Sequence, residues 1–310
     1  MMNKESSSLE SRLKEPERAK ILVTGIARDC GKKIGQDIDR IALCLTRFQE
    51  IHWLVVESDS ADDTVEILQE HEQSLKNFRY LSLGTLRKKY PKRTERTSFC
   101  RNVYLSEVQE NEIYNDIDFV LVVDLDGINT KITEEGILSC WDADDWGGCA
   151  ANQAGPYYDV WALRHEVWCP GDCWHEYYFL RNYGLGIARA LYSAVYSKMI
   201  TIPSDQPMFE VDSAFGGAAI YKREALMNAR YVGVDEEGKE VCDHVALSED
   251  IRNDGFRIFL NPKFVNSGLT FHSRRSIQIW TCLKLYFAAI ASHFKKFQKD
   301  NTEEKREANA

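Results

Sequence analysis

The chain has 310 residues, enough to bury a full core as one large α/β domain or two small ones. Charged residues make up 28% and apolar ones 44%, ordinary for a soluble globular protein, and no run of 18 apolar residues predicts a membrane span. The net charge is −9 with no basic face to announce a nucleic acid, which excludes that class; a divalent cation can still bring a phosphate-bearing ligand to an acidic site.

Residues 1–19, MMNKESSSLESRLKEPERA, are polar, lack the apolar centre of a signal peptide, and read as a frayed lead-in. The nine cysteines are scattered and odd in number, which favours reduced thiols and a cytoplasmic setting. Cys169, Cys173 and His175 suggest zinc only weakly, because an isolated C-x-x-x-C spacing is poor evidence for a metal.

From residue 20 onward, strand and helix signals alternate. ILVTGIA (21–27) reads as a buried strand, and 34–49 places Ile34, Ile38, Ile41, Ala42, Leu45 and Phe48 on one helical face. HWLVVES (52–58), FRYLSL (78–83) and DFVLVVD (118–124) predict further strands, with helices over 62–75 and over TERTSFCRNVYLSEVQE between them. Short apolar strands spaced by amphipathic helices predict a mostly parallel sheet covered on both faces, and in such sheets ligands collect at the carboxyl ends of strands.

The second half changes character. Residues 141–179 hold five of the seven tryptophans, flat rings that suit a groove for a ligand with an apolar face, and many of these rings must also be core. A last helix over about 276–298 is apolar on a wide face and ends in Lys295, Lys296 and Lys299. A basic amphipathic helix of this kind suits peripheral contact with an anionic membrane, or packing on the domain or on a twin chain in a homo-oligomer. The expected division is a lead-in over 1–19, one continuous domain over 20–275, and a helix with a polar tail over 276–310.

The chemistry centres on VLVVDLDG, where Asp124, Leu125 and Asp126 end an apolar run. Two carboxylates at the mouth of a buried strand call for a positive partner, such as a Mg²⁺ or Mn²⁺ ion carrying a diphosphate. Asp126-Gly127 is also ordinary turn chemistry. VVDLDG further resembles the nucleophile motif of haloacid-dehalogenase-type phosphatases, which would make Asp124 the nucleophile. That motif usually opens its domain and is followed by Thr or Val, whereas here it follows about 120 residues of α/β structure and precedes Ile128-Asn129. A catalytically silent glycan-binding module would keep the aromatic groove and need no metal.

Taken together, VVDLD, ESDSADDT, RNVYLSEV, YYDVWALR, SAFGGAAIY and CDHVALSEDIRNDGFRIFLNP resemble a GT-A fold glycosyltransferase, closest to the capsule-associated mannosyltransferase group. The resemblance spans residues 20–273 and implies an α/β fold in which a nucleotide-binding half is fused to an acceptor-binding half. It assigns Asp124 and Asp126 to a Mn²⁺ or Mg²⁺ ion and a nucleotide-sugar donor. It further places Ala27, Arg28, Asp29, Glu57 and Asp59 around the nucleoside, Arg101 and Asn102 on the helix facing the nucleotide, and His272 beside Asp126 at the metal or diphosphate. Asp159, Trp161 and Arg164, with Gly216 and Gly217, would shape the site for a glycan or lipid-linked glycan acceptor.

GT-A enzymes that invert commonly place an acid at the start of a helix facing the acceptor. SED (248–250) looks like that motif, but Asp250 lies five residues before Gly255, barely more than one turn at 1.5 Å per residue. Asp243 lies twelve residues before it with Val245, Leu247 and Ile251 between, so the spacing favours Asp243 as the acid, with His244 orienting the acceptor or diphosphate. The resemblance leans towards retention of configuration, which would change the role of Asp243 from a simple base.

Overall fold

The computed structural model describes residues 13–270, 273, 279, 283–287 and 290. One eight-stranded sheet runs through the molecule. Its strands are β1 (Lys20–Ala27), β2 (Glu50–Glu57), β3 (Phe78–Ser82), β4 (Phe119–Val123), β5 (Trp146–Gln153), β6 (Phe209–Val211), β7 (Ala218–Lys222) and β8 (Arg257–Ser267). They lie in the order β3-β2-β1-β4-β7-β5-β8-β6. β1 to β4 are mutually parallel, β7 runs antiparallel between β4 and β5, β8 is parallel to β5, and β6 closes the edge antiparallel to β8. The expected α/β architecture with a mostly parallel sheet is therefore present, and β7 is where its two halves join.

The helices are α1 (Gly31–Cys44), α2 (Thr64–Ser74), α3 (Arg93–Glu110), α4 (Glu134–Leu138), α5 (Cys173–Asn182), α6 (Ile187–Ala194) and α7 (Asp243–Asn253). On one side of the sheet, Ile34, Ile38 and Ile41 of α1 pack on Ile21, Val23, Val55 and Leu121. On the other, Cys100, Tyr104, Leu105 and Val108 of α3 pack on Leu22, Leu54, Val120 and Val122. Burial of both faces explains why β4 is apolar at every position rather than alternating. Trp146 is fully buried, Trp141 meets it edge-on, and Phe119 meets Trp141 edge-on, so these two tryptophans of the 141–179 segment belong to the core. α5 and α6 pack on one another over a separate small core of Val160, Tyr177, Leu191 and Val195.

The carboxyl ends of β1, β2 and β4 open at one edge of the sheet, and there the backbone is specialised. Asp29 and Asp59 adopt positive φ, and Asp29 is laced to the loop after β2 through Ser60 and Ala61. No helix of the described residues is long and apolar enough to cross a membrane.

At Gly25, β1 runs too close to the end of β4 for a side chain, since a Cβ there would sit 2.2 Å from the Val123 carbonyl oxygen. Gly25→Ala, usually stabilising where the backbone tolerates it, should here destabilise by about 1–3 kcal/mol and lower the denaturation midpoint. An unchanged midpoint in urea would contradict this close packing.

Candidate functional site

A cavity of about 1040 Å³ lies at that edge of the sheet, bounded by the ends of β1 and β4, the start of α3, the start of α7 and the α5–α6 pair. Ala27, Arg28, Asp29, Arg101, Asp124, Leu125, Asp126, Asp159, Trp161, Asp243 and His244 all line it. Residues from five separate sequence stretches, predicted to form one site, thus converge on one volume.

The turn after β4 is built by local bonds. Gly127 takes φ +88°, and a Cβ there would collide with Lys33 at 2.7 Å. Its N–H donates to Asp37 of α1 at 2.8 Å, and the Asn129 side chain donates to the Asp124 carbonyl at 2.6 Å. Asp37 is fully buried beside Arg40 and its carboxyl is raised by that burial. The result is that Asp126 is exposed at the cavity mouth, and its carboxylate accepts no hydrogen bond among the described residues.

Arg101, on α3, is the charge centre of the cavity. Its Nη1 donates to Asp243 Oδ2 at 2.6 Å, and its Nη2 lies 3.6 Å from Asp124 Oδ1. The guanidinium lies 5.8 and 5.7 Å from the ring centroids of Phe215 and Tyr231. Burial pushes the Asp243 carboxyl up, but Arg101 outweighs it and the net shift is down. Asp124 goes the other way: burial raises it to about 7, reinforced by Asp126 and Asp159 and opposed by Arg101. One guanidinium serving two carboxylates cannot fully satisfy both, and its shorter bond goes to Asp243.

α7 starts at Asp243, with Cys242 as its N-cap, and the chain turns at Gly255 with φ +88°. Asp243 is buried against the cavity, whereas Asp250 lies on the outer face, where it accepts from the Arg230 N–H and its oxygen lies 3.8 Å from the Arg230 side chain. His244 stacks on Phe215 with ring centroids 3.8 Å apart, and neither ring nitrogen has a hydrogen-bond partner among the described residues. Burial, then Arg101, lowers its pKa to about 3, so at neutral pH it is an uncharged ring with one donor and one acceptor to offer.

On the opposite wall, Asp159 accepts from the Gly216 N–H at 3.0 Å, and the Gly217 carbonyl accepts from the Asp124 N–H at 2.9 Å. Gly216 and Gly217, at φ +69° and +87°, therefore lie behind the wall and hold the two acids in place. Trp161 is oriented by Asp172, which also caps α5 and pairs with Arg164.

Several predicted contacts do not reach the cavity. Glu57 accepts from Ser60 N–H and from the Ser82 hydroxyl, and Asp59 accepts from the N–H groups of Leu86 and Arg87. The Asn102 amide is doubly bonded to the Tyr231 backbone, and Arg164 donates to the Trp161 and Leu163 carbonyls. These four hold loops in position, because each answers backbone groups that would otherwise lack partners. His272 lies outside the described residues. Conversely, Lys33, Arg93, Arg96 and Trp174 line the cavity and were not singled out from the sequence, where they look like solvated helix charges and one ring among many.

Two carboxylates could hold a metal ion, Asp126 open to the cavity and Asp124 under-satisfied behind it. Among the described residues no group of three His, Cys, Asp or Glu forms a cage, at Cys169, Cys173 and His175 or elsewhere. Two oxygen ligands fit a hard cation that takes its remaining ligands from a diphosphate and water, and do not fit a structural zinc site.

No family model and no curated protein matches the chain. Solved structures do. A mannosyltransferase from Pyrobaculum calidifontis, in complex with GDP-Man and Mn²⁺, is similar over 80% of this chain and 56% of its own, at 15% identity and TM-score 0.43. Glucosyl-3-phosphoglycerate synthase from Mycobacterium tuberculosis, in complex with UDP, is similar over 83% and 73%, at 14% identity and TM-score 0.41. S. aureus TarS 1–349 is similar over 80% and 60%, at 14% identity and TM-score 0.44. The chain thus spans little more than half the length of the first of these.

Two predictions follow from the charges. Arg101→Met should destabilise the protein by about 3–5 kcal/mol, because Asp243 is left buried without a counter-charge, and adding Asp243→Asn should recover part of it. Denaturant titration of the four-member cycle measures the coupling; additive effects would contradict the ion pair. For Asp124, the folded carboxyl titrates at about 7 against about 3.9 in the unfolded chain, so its stabilising contribution is complete below about pH 4 and is lost as pH rises through 7. With a third of the side chain still exposed to the cavity, the effect is moderated by solvent. In EDTA, the Tm advantage of Asp124→Asn over wild type should grow by about 2–4 °C between pH 5.5 and pH 8. A constant difference in melting scans would contradict it.

Proposed function

We propose that the chain is a metal-dependent glycosyltransferase that moves a sugar from a GDP- or UDP-linked donor to a hydroxyl of a glycan or lipid-linked glycan. The observation that carries this reading is the convergence of Asp124 and Asp126 from β4 with Asp243 from α7 across Arg101, in one cavity roomy enough for two substrates. The resemblance in sequence suggests a mannosyl donor and a capsule-type polysaccharide acceptor.

In this reading Ala27, Arg28 and Asp29 border the nucleoside, and Lys33, Arg93 and Arg101 face the diphosphate. Asp126, with Asp124 behind it, would hold a Mn²⁺ or Mg²⁺ ion, which supplies neutralisation of the leaving diphosphate. Trp161 and Trp174 cover the apolar face of a sugar, and Asp159 and His244 offer hydrogen bonds to its hydroxyls. The acceptor oxygen bonds to the anomeric carbon as the bond from that carbon to the diphosphate oxygen breaks. The hydroxyl proton passes to Asp243, or to the leaving diphosphate if configuration is retained.

Arg101 links donor binding to this step. While it is bonded to Asp243, the carboxylate is a weak base. A diphosphate competes for the same guanidinium, and as Arg101 turns to it, burial dominates at Asp243 and its basicity rises. An empty site is thereby kept from acting as a base on water.

Calorimetric titration of UDP and GDP, first with Mn²⁺ and then with EDTA, tests the donor site. One nucleotide should bind with Mn²⁺, lose at least about tenfold in affinity with EDTA, and lose as much in Asp126→Ala. Absence of binding by either nucleotide under both conditions would overturn the assignment.

A further inference from the structure

The cavity is divided by charge. Among the described residues, every Asp, Lys and Arg that lines it precedes residue 160 or is Asp243, and no Glu lines it. The wall contributed by residues 160–199 carries no charge. Besides Trp161 and Trp174, it includes Leu191, Val195, Tyr196 and Met199.

This stretch of chain is not short of charges. Asp172 pairs with Arg164 at 3.1 Å, Glu176 pairs with Lys198, and Arg181 donates to the Leu185 carbonyl. None of these side chains lines the cavity. The Trp161 N–H is taken by Asp172 at 2.8 Å, so what that ring offers the cavity is carbon. Folding has turned the polar groups away from this wall; composition has not removed them. Trp161, Trp174, Tyr196 and Met199 are half-buried, packed on the small α5–α6 core and lining the cavity as well.

Such a wall restricts what can lie against it. A sugar carries hydroxyls around its rim, and a surface of carbon leaves hydroxyls unpaired. One or two flat rings cover the apolar face of a sugar, but Leu191, Val195 and Met199 extend the wall with aliphatic groups. A methylene chain or an aryl ring gains by leaving water for such a surface, and a methionine adapts to either. The charged half and the apolar wall share one volume of about 1040 Å³, at the upper end of the size of a single small-molecule site. A ligand that fills both sides is polar at one end and apolar at the other.

We propose, resting on the transferase reading of this cavity, that the wall of Leu191, Val195, Tyr196 and Met199 seats an apolar aglycone of the acceptor. The aglycone is a hydrocarbon chain or an aryl group attached to the sugar that takes the new bond.

Calorimetric titration of methyl, butyl, hexyl and octyl α-mannosides, and of phenyl α-mannoside, reads the seat without donor or metal. Each compound is kept below its micelle concentration. Affinity should rise about threefold per added methylene from the butyl to the octyl compound. In Met199→Asp the rise should fall below about 1.5-fold per methylene, because a carboxylate then faces the chain. Phenyl mannoside binding as tightly as the hexyl compound identifies an aryl aglycone, and weaker binding a hydrocarbon chain. The wild-type series decides the matter even if the variant misfolds. A series flat in chain length, or no binding by any member, overturns the seat whatever nucleotide titration shows. A steep series in a protein that binds no nucleotide keeps the seat and overturns the transferase reading, and the acceptor with it.

Discussion

The ion pair between Arg101 and Asp243 is the interaction on which the rest of the site depends. It joins α3 to the first residue of α7, two elements 142 positions apart in sequence, at a distance of 2.6 Å. Neither group could be buried alone, since an isolated ion in an apolar interior costs several kcal/mol. Their pairing lets α7 begin inside the molecule, and that places His244 on Phe215 and closes the cavity. The same guanidinium, only 3.6 Å from Asp124, opposes the rise that burial imposes on the strand-end acid. One guanidinium thus stands between two carboxylates, Asp124 and Asp243.

Sheet topology explains why these groups meet. β1 and β4 are adjacent and parallel, so their carboxyl ends and the turns that follow them open together. β7, antiparallel between β4 and β5, carries Gly216 and Gly217 to the same edge, where their backbone groups hold Asp159 and Asp124. The opposite wall of the cavity is supplied by chain that belongs to no strand, residues 154–202, which includes α5 and α6.

Much of this was legible in the sequence where hydrophobic period is strong. β1 to β4 and α1 to α3 declare themselves because apolar runs and 3.6-residue spacing are local signals. Asp243 was legible by counting back from Gly255, since helix length and a left-handed glycine are both local constraints. Less legible were residues whose role depends on what the fold brings beside them. Asp37 reads as an ordinary polar helix position, yet it is buried to hold the Gly127 N–H. Lys33, Arg93 and Arg96 read as solvated charges because nothing in their neighbours reveals a cavity. Glu57, Asp59 and Asn102 sit at the expected strand end or helix and turn instead to backbone partners, a choice that only three-dimensional packing settles.

The most direct test of the central claim follows the bond that is broken. Phosphorus NMR of GDP-mannose and of UDP-linked hexoses incubated with the protein and Mn²⁺ distinguishes cleavage at the sugar from cleavage at phosphate. The account predicts release of an intact nucleoside diphosphate from one donor, abolished in Asp126→Ala. Appearance of a nucleoside monophosphate and a sugar phosphate instead, lost in Asp124→Asn, would contradict it and make Asp124 a nucleophile rather than part of a donor site.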